Sequence, residues 1–292
     1  MTGPGARLFV ALQYLLPQHA LSRLIGRIAR TQLPWVRRPL IRAFVRAYQP
    51  DLRDAAQPDP LAYPSFNAFF TRALRADARP CAAADAAIVS PVDGRISALG
   101  PIRAGRVLQA KGRDYALHDL LAGNAALAAQ LRDGLFMTIY LAPYNYHRIH
   151  MALGGTLRAA WYVPGRLFSV NDTTARTVPR LFARNERVIL QFDGACGPCV
   201  LVLVGALFVG SMSTVWHGDI APRRARAAVA LPLPAAVGAP APARLPRGAE
   251  LGRFNMGSTV IVLLPPGAAA WEGALAPASV LRVGQPIGRL IS

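Results

Sequence analysis

Apolar residues recur with a helical period in the first part of the chain, at about residues 5–75, and arginines occupy the opposite faces. The apolar positions are Leu21, Leu24, Ile25 and Ile28 in one segment and Leu40, Ile41, Phe44 and Tyr48 in the next. The opposing positions are Arg23, Arg27 and Arg30, then Arg38, Arg42 and Arg46. This pattern predicts two basic amphipathic helices, separated by a break at Pro34 and Pro39. A further, capped helix is predicted at residues 63–72.

From Ala87 onward the period changes, because short apolar runs alternate with turns that contain Gly, Pro and Asp. Runs of this length and composition are typical of strands. One helix is predicted within this part, at about residues 117–132, and residues 221–247 are predicted to be extended or loosely ordered. The fold class is therefore α+β, with N-terminal basic amphipathic helices followed by a β-rich part that resembles a sandwich or barrel.

Composition agrees with a globular protein, since the chain has 292 residues, of which 53% are hydrophobic and 16% charged. Such a chain can bury a sizeable core. The longest apolar runs are shorter than the roughly 18 to 20 residues that a spanning helix requires, so no transmembrane segment is predicted. A signal peptide is not expected either, because Gln13 interrupts the apolar start and no convincing small-residue cleavage site follows.

The net charge of +18 comes almost entirely from arginine, since Lys111 is the only lysine. The first 50 residues hold eight arginines and no acidic residue, which favours contact with an anionic surface. Two interpretations follow from the amphipathic pattern. Either the helices lie in a membrane interface, or they dock on the protein core and expose a solvated basic face. No nucleic-acid-binding motif accompanies the arginines.

Cys196 and Cys199 have the spacing of a dithiol redox site, but a reactive cysteine of that kind normally begins a helix. Here the surrounding residues predict a strand, a turn and a second strand. We therefore interpret both cysteines as structural. No zinc site is expected, because the third cysteine and the histidines offer no second ligand pair at the usual spacing.

Three places carry residues capable of chemistry. Asp93 lies in a tight turn before a predicted strand, where an aspartate often only bonds its own backbone. His147 and His150 lie in one aromatic loop; they share a face if the loop is helical and diverge if it is extended. The pair Gly257-Ser258 precedes a β-branched run. A serine, a histidine and an aspartate can form a hydrolase triad, but a hydrolase serine is expected in a turn before a helix, and Ser258 precedes a strand.

Several longer motifs resemble those of bacterial phosphatidylserine decarboxylase, a pyruvoyl enzyme of the prokaryotic membrane-associated type, over nearly the whole length. They begin with Phe66-Asn67-x-Phe69-Phe70-x-Arg72, Pro91-Val92-Asp93-Gly94 and Gln109-Ala110-Lys111-Gly112 with Leu120-Leu121-Ala122-Gly123-Asn124. They continue with Tyr146-His147-Arg148-Ile149-His150-Met151, Val163-Pro164-Gly165-x-Leu167-Phe168-Ser169-Val170-Asn171 and Leu181-Phe182-Ala183-Arg184-Asn185-Glu186-Arg187. The last is Leu251-Gly252-x-Phe254-x-x-Gly257-Ser258-Thr259-Val260.

This resemblance implies that the chain cuts itself between Gly257 and Ser258, into a β chain of residues 1–257 and an α chain of residues 258–292. Asp93 is expected to orient His150, and His150 to take the proton from Ser258. The Ser258 oxygen then attacks the carbonyl carbon of Gly257 and forms an ester. Elimination gives dehydroalanine, and hydrolysis leaves a covalent pyruvoyl group with release of ammonia.

The resemblance also implies the reaction of the cut enzyme. The amine of phosphatidylserine forms a Schiff base with the pyruvoyl group, carbon dioxide leaves, and phosphatidylethanolamine is released. His147 is the expected proton donor, because imidazole titrates near working pH. No metal or added cofactor is expected. The alternative is a Ser-His-Asp hydrolase that acts on a lipid or ester and stays uncut.

A lipid substrate favours the membrane interpretation of the N-terminal helices. We expect residues 1–75 to form a membrane-associating helical region and residues 76–292 a catalytic domain. Residues 1–50 are expected to contact an anionic membrane surface, as a peripheral attachment on the cytoplasmic side of the cell membrane. The expected partners are therefore phosphatidylserine, the membrane and the two chains of one precursor; a homodimer stays open, and no nucleic acid is expected.

Overall fold

The fold is that of a computed structural model, which describes residues 4–208, 211–220, 225–233, 235–236, 239–242 and 244–291. Helices come first along the chain and antiparallel strands follow, which confirms the predicted α+β class. The described strands form open sheets, so the barrel-like form of the prediction is not found.

The helices fall into an N-terminal group and a few short ones between strands. They are α1 (Pro4–Leu15), α2 (Gln18–Arg30), α3 (Pro34–Tyr48), α4 (Phe66–Phe70), α5 (Leu117–Leu120), α6 (Ala125–Gln130), α7 (Asp172–Thr177) and α8 (Leu181–Arg184), with a 3₁₀ turn at Pro60–Ala62. None of the helices that the structure describes is both long and apolar enough to cross a membrane.

The strands begin at Ala87 and run to the end of the chain. They are β1 (Ala87–Val89), β2 (Gly94–Pro101), β3 (Arg106–Ala110), β4 (Arg113–Ala116), β5 (Leu135–Leu141), β6 (Arg148–His150), β7 (Gly155–Val163), β8 (Arg187–Gly194), β9 (Gly197–Val204), β10 (Met212–Thr214), β11 (Gly218–Ile220), β12 (Val229–Ala230), β13 (Ala235–Ala236), β14 (Ala239–Pro242), β15 (Arg244–Leu245), β16 (Glu250–Phe254), β17 (Ser258–Leu264), β18 (Ala269–Trp271), β19 (Val280–Leu281) and β20 (Pro286–Leu290).

One large antiparallel sheet, the main sheet, has the strand order β12-β7-β8-β9-β17-β5-β2-β19, and β15 also pairs with β7. A second sheet, in the order β11-β10-β16-β6, carries the histidine loop. Strand β17 therefore lies between β9 and β5, in the interior of the main sheet.

The continuous apolar run after Ser258 is explained by burial on both faces of the main sheet. Val260 and Val262 belong to one apolar core, and Ile261 and Leu263 belong to the other. Successive side chains of a strand point to opposite faces, so a strand that is covered on both faces must be apolar at every position. The start of β17 is thus held at a fixed place in the protein interior.

The N-terminal helices pack on this β-rich part, but α2 does so with an unexpected face. Its buried residues are Gln18, Ser22 and Ala29, whereas Leu24 and Ile28 are 53% and 42% exposed. Helix α3 buries its predicted apolar face against the aromatic residues of α4, in a cluster of Ala29, Ile41, Phe44, Phe66, Phe69 and Phe70. The N-terminal helices therefore dock on the protein core and also expose apolar side chains, so each of the two interpretations of the sequence pattern describes part of the structure.

Two other predictions for the β-rich part are settled by the structure. The helix predicted at residues 117–132 is wrong, because Ala122 and Gly123 have positive φ angles that separate α5 from α6. The strand-turn-strand prediction around the cysteines is confirmed by β8 and β9. Of residues 221–247, the described ones form short strands, and residues 221–224, 234, 237–238 and 243 lie outside the described part.

Candidate active site

The segment before Ser258 has an unusual backbone. Met256 has φ = 98° and Gly257 has φ = 44°, a region that glycine adopts readily and methionine rarely does. Ser258 begins β17, where it pairs with Leu141, and Thr259 pairs with Tyr140 and Val204. We call residues 255–257 the cleavage loop. The role predicted for the Ser258 hydroxyl lies outside the described part, which includes only the backbone of that residue.

His147 is completely buried, directly before β6. Its ring lies against Phe70, with the ring centroids 4.0 Å apart, and its Nδ1–H donates to the Asn145 carbonyl at 2.8 Å. The Nε2 atom is buried without a hydrogen-bond partner among the described residues. Burial lowers the pKa of His147 to about 3, although the Asn145 carbonyl opposes this shift, and the charge of Arg72 lowers the pKa further. His147 is therefore a neutral imidazole with a free lone pair on Nε2.

His150 has both ring nitrogens occupied. Its Nδ1–H donates to the Gly248 carbonyl at 2.8 Å, and its Nε2 lies 3.1 Å from the Tyr146 hydroxyl. Burial lowers the pKa of His150, while the Gly248 carbonyl and the charges of Glu250 and Asp93 act in the opposite direction. A neutral ring with its proton on Nδ1 accepts from Tyr146 at Nε2. The Nε2 lone pair of the imidazole that the sequence predicts as a base is therefore engaged by a tyrosine.

Asp93 is held by an arginine and not by the histidine it was expected to orient. Its carboxylate accepts from Arg79 Nη2 at 2.6 Å, from Arg79 Nε at 3.0 Å and from the Val283 backbone N–H at 2.8 Å. Among the described contacts there is no hydrogen bond between Asp93 and His150. The two are neighbours through the backbone, because the His150 N–H donates to the Pro91 carbonyl at 2.8 Å.

Beta structure separates the two histidines, as expected for an extended segment. His150 lines a polar cavity of about 270 Å³, together with Arg79, Tyr146, Arg148 and Glu250. His147 instead faces the aromatic residues under the N-terminal helices. The structure therefore gives the two histidines chemically different surroundings although they are only three residues apart.

A groove between α2 and α3 leads to the cleavage loop. Its volume is about 510 Å³. Its lining is almost wholly apolar and consists of Ile25, Ile28, Ala29, Leu40, Ala43, Phe44, Ala47, Tyr48, Phe66 and Met256. We call it the α2–α3 groove. Because Met256 directly precedes the Gly257-Ser258 pair, the groove brings an apolar surface to the candidate site.

The loop of residues 163–171 is fixed by the first two helices. The side-chain oxygen of Gln13 accepts from the Ser169 N–H at 2.9 Å, and that of Gln18 accepts from the Leu167 N–H at 2.8 Å. Both glutamines are buried. The N-terminal helices are thus connected to the β-rich part by specific hydrogen bonds as well as by apolar packing.

The cysteines and possible metal ligands show no further site. Cys199 is buried and Cys196 is partly buried, and burial raises the pKa of both thiols, the opposite of what a reactive thiolate requires. Among the described residues there is no group of three or more His, Cys, Asp or Glu side chains that could hold a metal ion.

Several partners of the site residues were not identified from the sequence. Arg79 lies 14 positions from Asp93, and Gly248, which contributes a backbone carbonyl, lies 98 positions from His150. Every residue type has a backbone carbonyl, so no sequence pattern could have identified Gly248 as a partner of His150. Tyr146 was visible in the aromatic loop, but its contact with His150 depends on the path of β6.

Comparison with known proteins shows similarity over nearly the whole chain. A family model described as phosphatidylserine decarboxylase matches residues 66–289, and another, described as PSD, matches residues 8–49. The chain is similar to proteins named phosphatidylserine decarboxylase proenzyme. It is 50% identical to the one from Azotobacter vinelandii over 288 residues, 97% of this chain and 98% of that protein. It is 53% identical to one from Pseudomonas aeruginosa over 279 residues, 96% of both chains.

Proposed function

The chain belongs to the phosphatidylserine decarboxylase family, and we propose that it decarboxylates phosphatidylserine with a pyruvoyl group made from its own Ser258. The observation that carries this proposal is the backbone of the cleavage loop. Two consecutive positive φ angles, at Met256 and Gly257, lie directly before the serine that the family motif marks. The related proteins are named as proenzymes, which agrees with a chain that matures by cleavage.

The Gly257-Ser258 bond has features that favour self-cleavage. Gly257 has no side chain to block an approach to its carbonyl, and a Cβ built on it would meet no atom within 4 Å. The conformation of Met256 costs on the order of 1 kcal/mol, which cleavage of the loop can release. The pyruvoyl group is derived from residue 258 itself, so its place in the enzyme is the start of β17.

His150 is the proposed base for this step, and the Tyr146 hydroxyl extends its reach. The proton of the Ser258 hydroxyl passes to His150 Nε2, directly after Tyr146 moves or through the Tyr146 hydroxyl. Asp93 supports the base by its charge, which favours the protonated imidazole. Arg79 fixes the position of Asp93, and direct orientation of His150 by Asp93 is not part of the proposal.

In the reaction that follows, the pyruvoyl carbonyl supplies the group that reacts with the substrate amine and accepts the electrons of the departing carboxylate. His147 is the proposed proton donor to the substrate α carbon. Since its pKa is about 3 in this structure, His147 must first gain a proton. A substrate carboxylate in the same buried surroundings raises the pKa of an imidazole and favours that uptake.

The α2–α3 groove supports a substrate with acyl chains. Its lining is almost wholly apolar and includes Met256, which lies two residues before the proposed pyruvoyl position. Acyl methylenes gain about 0.8 kcal/mol each when they leave water for such a surface. We propose that one acyl chain of phosphatidylserine lies in this groove while its head group reaches the reactive carbonyl.

The exposed surface of the N-terminal helices supports attachment to a membrane. Leu8, Leu12 and Leu15 recur along one side of α1 and are 63%, 52% and 81% exposed, and Trp35 is 73% exposed. Arginines lie on the same helices. Apolar side chains that enter the acyl boundary, with cations beside anionic head groups, are typical of interfacial helices. We propose peripheral attachment on the cytoplasmic side of the cell membrane.

Three substitutions test the proposal through self-cleavage. Ser258→Ala is expected to leave one uncut, inactive chain, and His150→Ala or Asp93→Asn is expected to leave most of the protein uncut. Denaturing electrophoresis of freshly synthesised protein measures the fraction cut. Normal cleavage of His150→Ala would show that His150 is not the base for self-cleavage.

A further inference from the structure

A buried polar cluster lies directly before the scissile bond. The Asn255 side-chain amide donates to Ser211 Oγ and Ser213 Oγ, each at 2.8 Å, and its oxygen accepts from Asn67 at 3.1 Å. Asp219 closes the cluster by accepting from Ser213 Oγ at 2.5 Å. The Asn255, Ser211 and Ser213 residues are all at most 4% exposed. We call these five residues the Asn255 cluster.

The cluster is connected to α2 by Arg30. The Arg30 guanidinium donates to Asp219 at 2.6 Å and to Ser211 Oγ at 2.9 Å. Arg30 is the last residue of α2, the helix whose Leu24 and Ile28 are exposed. An ion pair therefore joins the end of the proposed membrane-binding helix to the polar cluster under the cleavage loop.

The scissile bond lies between two fixed points. On one side the Asn255 cluster holds residue 255, whose backbone N–H also donates to the Ser211 carbonyl at 2.9 Å, and Met256 packs on the aromatic cluster of α3 and α4. On the other side Ser258 begins an interior strand of the main sheet. The chain must connect these points within two residues, and it does so with positive φ angles at Met256 and Gly257.

We propose that Asn255 is a positioning residue for self-cleavage, which holds the Gly257-Ser258 bond in its strained geometry, and that Arg30 extends this control to α2. The inference rests on the proposed function, since it concerns the rate of the same cleavage. Asn255 does not contact the reacting atoms in this account. It acts because its amide group donates to Ser211 and Ser213 at β10 and its oxygen accepts from Asn67 of α4, which together fix where the cleavage loop begins.

Cell-free synthesis of the full chain with vesicles of phosphatidylcholine and phosphatidylglycerol measures the rate of cleavage. Samples are stopped in denaturant at intervals, and the uncut chain and the α chain are quantified by mass. Asn255→Asp keeps the size of the side chain but replaces the amide donor with a carboxylate beside Asp219. We expect cleavage to slow about 10-fold to 100-fold, as for other small displacements of reacting groups.

Asn124→Ala is the matched control for loss of a structural asparagine, since Asn124 accepts from the Leu127 N–H and caps the N-terminus of α6. It is expected to lower the melting temperature without slowing cleavage. Asn255→Asp in the uncut Ser258→Ala background is expected to remain folded by circular dichroism. A cleavage rate equal to that of the wild type in folded Asn255→Asp would overturn the inference.

Arg30→Gln gives a second test, which keeps all five residues of the Asn255 cluster but removes the Arg30 contacts with Asp219 and Ser211. The control is Arg158→Gln, because the Arg158–Asp193 pair has the same 2.6 Å separation and similar exposure. We expect Arg30→Gln to slow cleavage at least severalfold and Arg158→Gln to leave it unchanged; equal rates for the two would refute the role of Arg30. If the wild-type chain itself stays uncut, the proposed function has failed rather than this inference.

Discussion

The two histidines of one short segment differ in their surroundings, since His147 directly precedes β6 and His150 is the last residue of that strand. His147 loses all contact with solvent against Phe70, and His150 faces a polar cavity with Tyr146 and charged residues. Burial lowers the pKa of both imidazoles, and most strongly that of His147. The separate roles proposed for them in cleavage and decarboxylation therefore agree with this difference in burial.

The buried, neutral state of His147 predicts a dependence of stability on pH. Its folded-state pKa is about 3, whereas an unfolded histidine titrates near about 6.5. Since the unfolded chain binds the proton first, this contribution to stability is complete above about pH 7 and is lost progressively as pH falls from about 6.5 toward 3.

Urea unfolding of the uncut Ser258→Ala chain at several pH values between about 7 and 5 measures this effect. The His147→Gln version of the same chain is the control. Below about pH 6.5 the chain with His147 is expected to lose about 1 kcal/mol more per pH unit than the control. Parallel curves for the two chains would show that His147 is not buried in the neutral form.

A second prediction at the residue scale concerns Asp93, because Arg79 donates hydrogen bonds to its carboxylate and balances its charge. Arg79→Gln leaves Asp93 nearly buried with the Val283 N–H as its remaining described partner. Loss of one partner of such a pair is expected to lower the free energy of unfolding by about 3 kcal/mol and to slow self-cleavage, as is also expected of Asp93→Asn.

Arg53→Gln is the matched control, since Arg53 pairs with Asp51 on the surface and is 86% exposed. It is expected to leave stability and cleavage nearly unchanged. Both can be measured by urea unfolding and by electrophoresis of new protein. Rapid cleavage of Arg79→Gln would show that the position of Asp93 is not set by Arg79.

Residue types were easier to predict than their contacts. The sequence singled out His147 and His150 because two imidazoles lie in one aromatic loop, whereas Asp93, a common residue type in turns, gained its expected role from the family resemblance. It paired Asp93 with His150, whereas the structure pairs Asp93 with Arg79. The chain has so many arginines that no pattern distinguishes the one that folds back onto a given carboxylate.

At the scale of elements, the apolar pattern predicted α3, in which Ile41 and Phe44 are buried although Tyr48 is 46% exposed. It also predicted the buried strands β5, β8, β9 and β17. It could not predict the orientation of α2, which buries small and polar residues and leaves Leu24 and Ile28 exposed. Nor could it predict the break between α5 and α6, which depends on a positive φ angle at Ala122, a residue with no preference for that conformation.

The α2–α3 groove predicts how acyl length affects activity. Ala43→Phe is expected to fill the groove, because Ala43 lines it. Displacement of about two acyl methylenes costs about 1.6 kcal/mol, which corresponds to about a tenfold loss of activity. This loss of activity is expected with dioleoyl phosphatidylserine. A smaller loss is expected with dihexanoyl phosphatidylserine, and release of carbon dioxide measures both activities.

Ala126→Phe is the matched control, since Ala126 is an exposed alanine of another helix, α6. Self-cleavage is expected to proceed normally in both variants, so that each carries the reactive group. An equal loss for long and short acyl chains in Ala43→Phe would contradict the assignment of the groove.

At the scale of the whole molecule, the helices are both an integral part of the fold and an exposed apolar surface. Ile41 and Phe44 belong to a buried aromatic cluster, so deletion of residues 1–50 would uncover Phe66 and Phe69. Substitution on the exposed side of α1 is the better test of membrane binding.

Leu12→Glu with Leu15→Glu is therefore expected to weaken binding to anionic vesicles about 100-fold, at about 1.5 kcal/mol for each leucine. The control is Val280→Glu, which changes an equally exposed residue, at 72%, outside the helices. Sedimentation with vesicles measures the bound fraction. Unchanged binding of the double variant would show that α1 does not enter the interface.

The central claim, that Ser258 is a precursor of the reactive group, is tested most directly by the mass of active protein under denaturing conditions. The account predicts two chains, the smaller of which begins at residue 258 with a blocked N-terminus that carries a carbonyl. A single intact chain of 292 residues from active protein would contradict it.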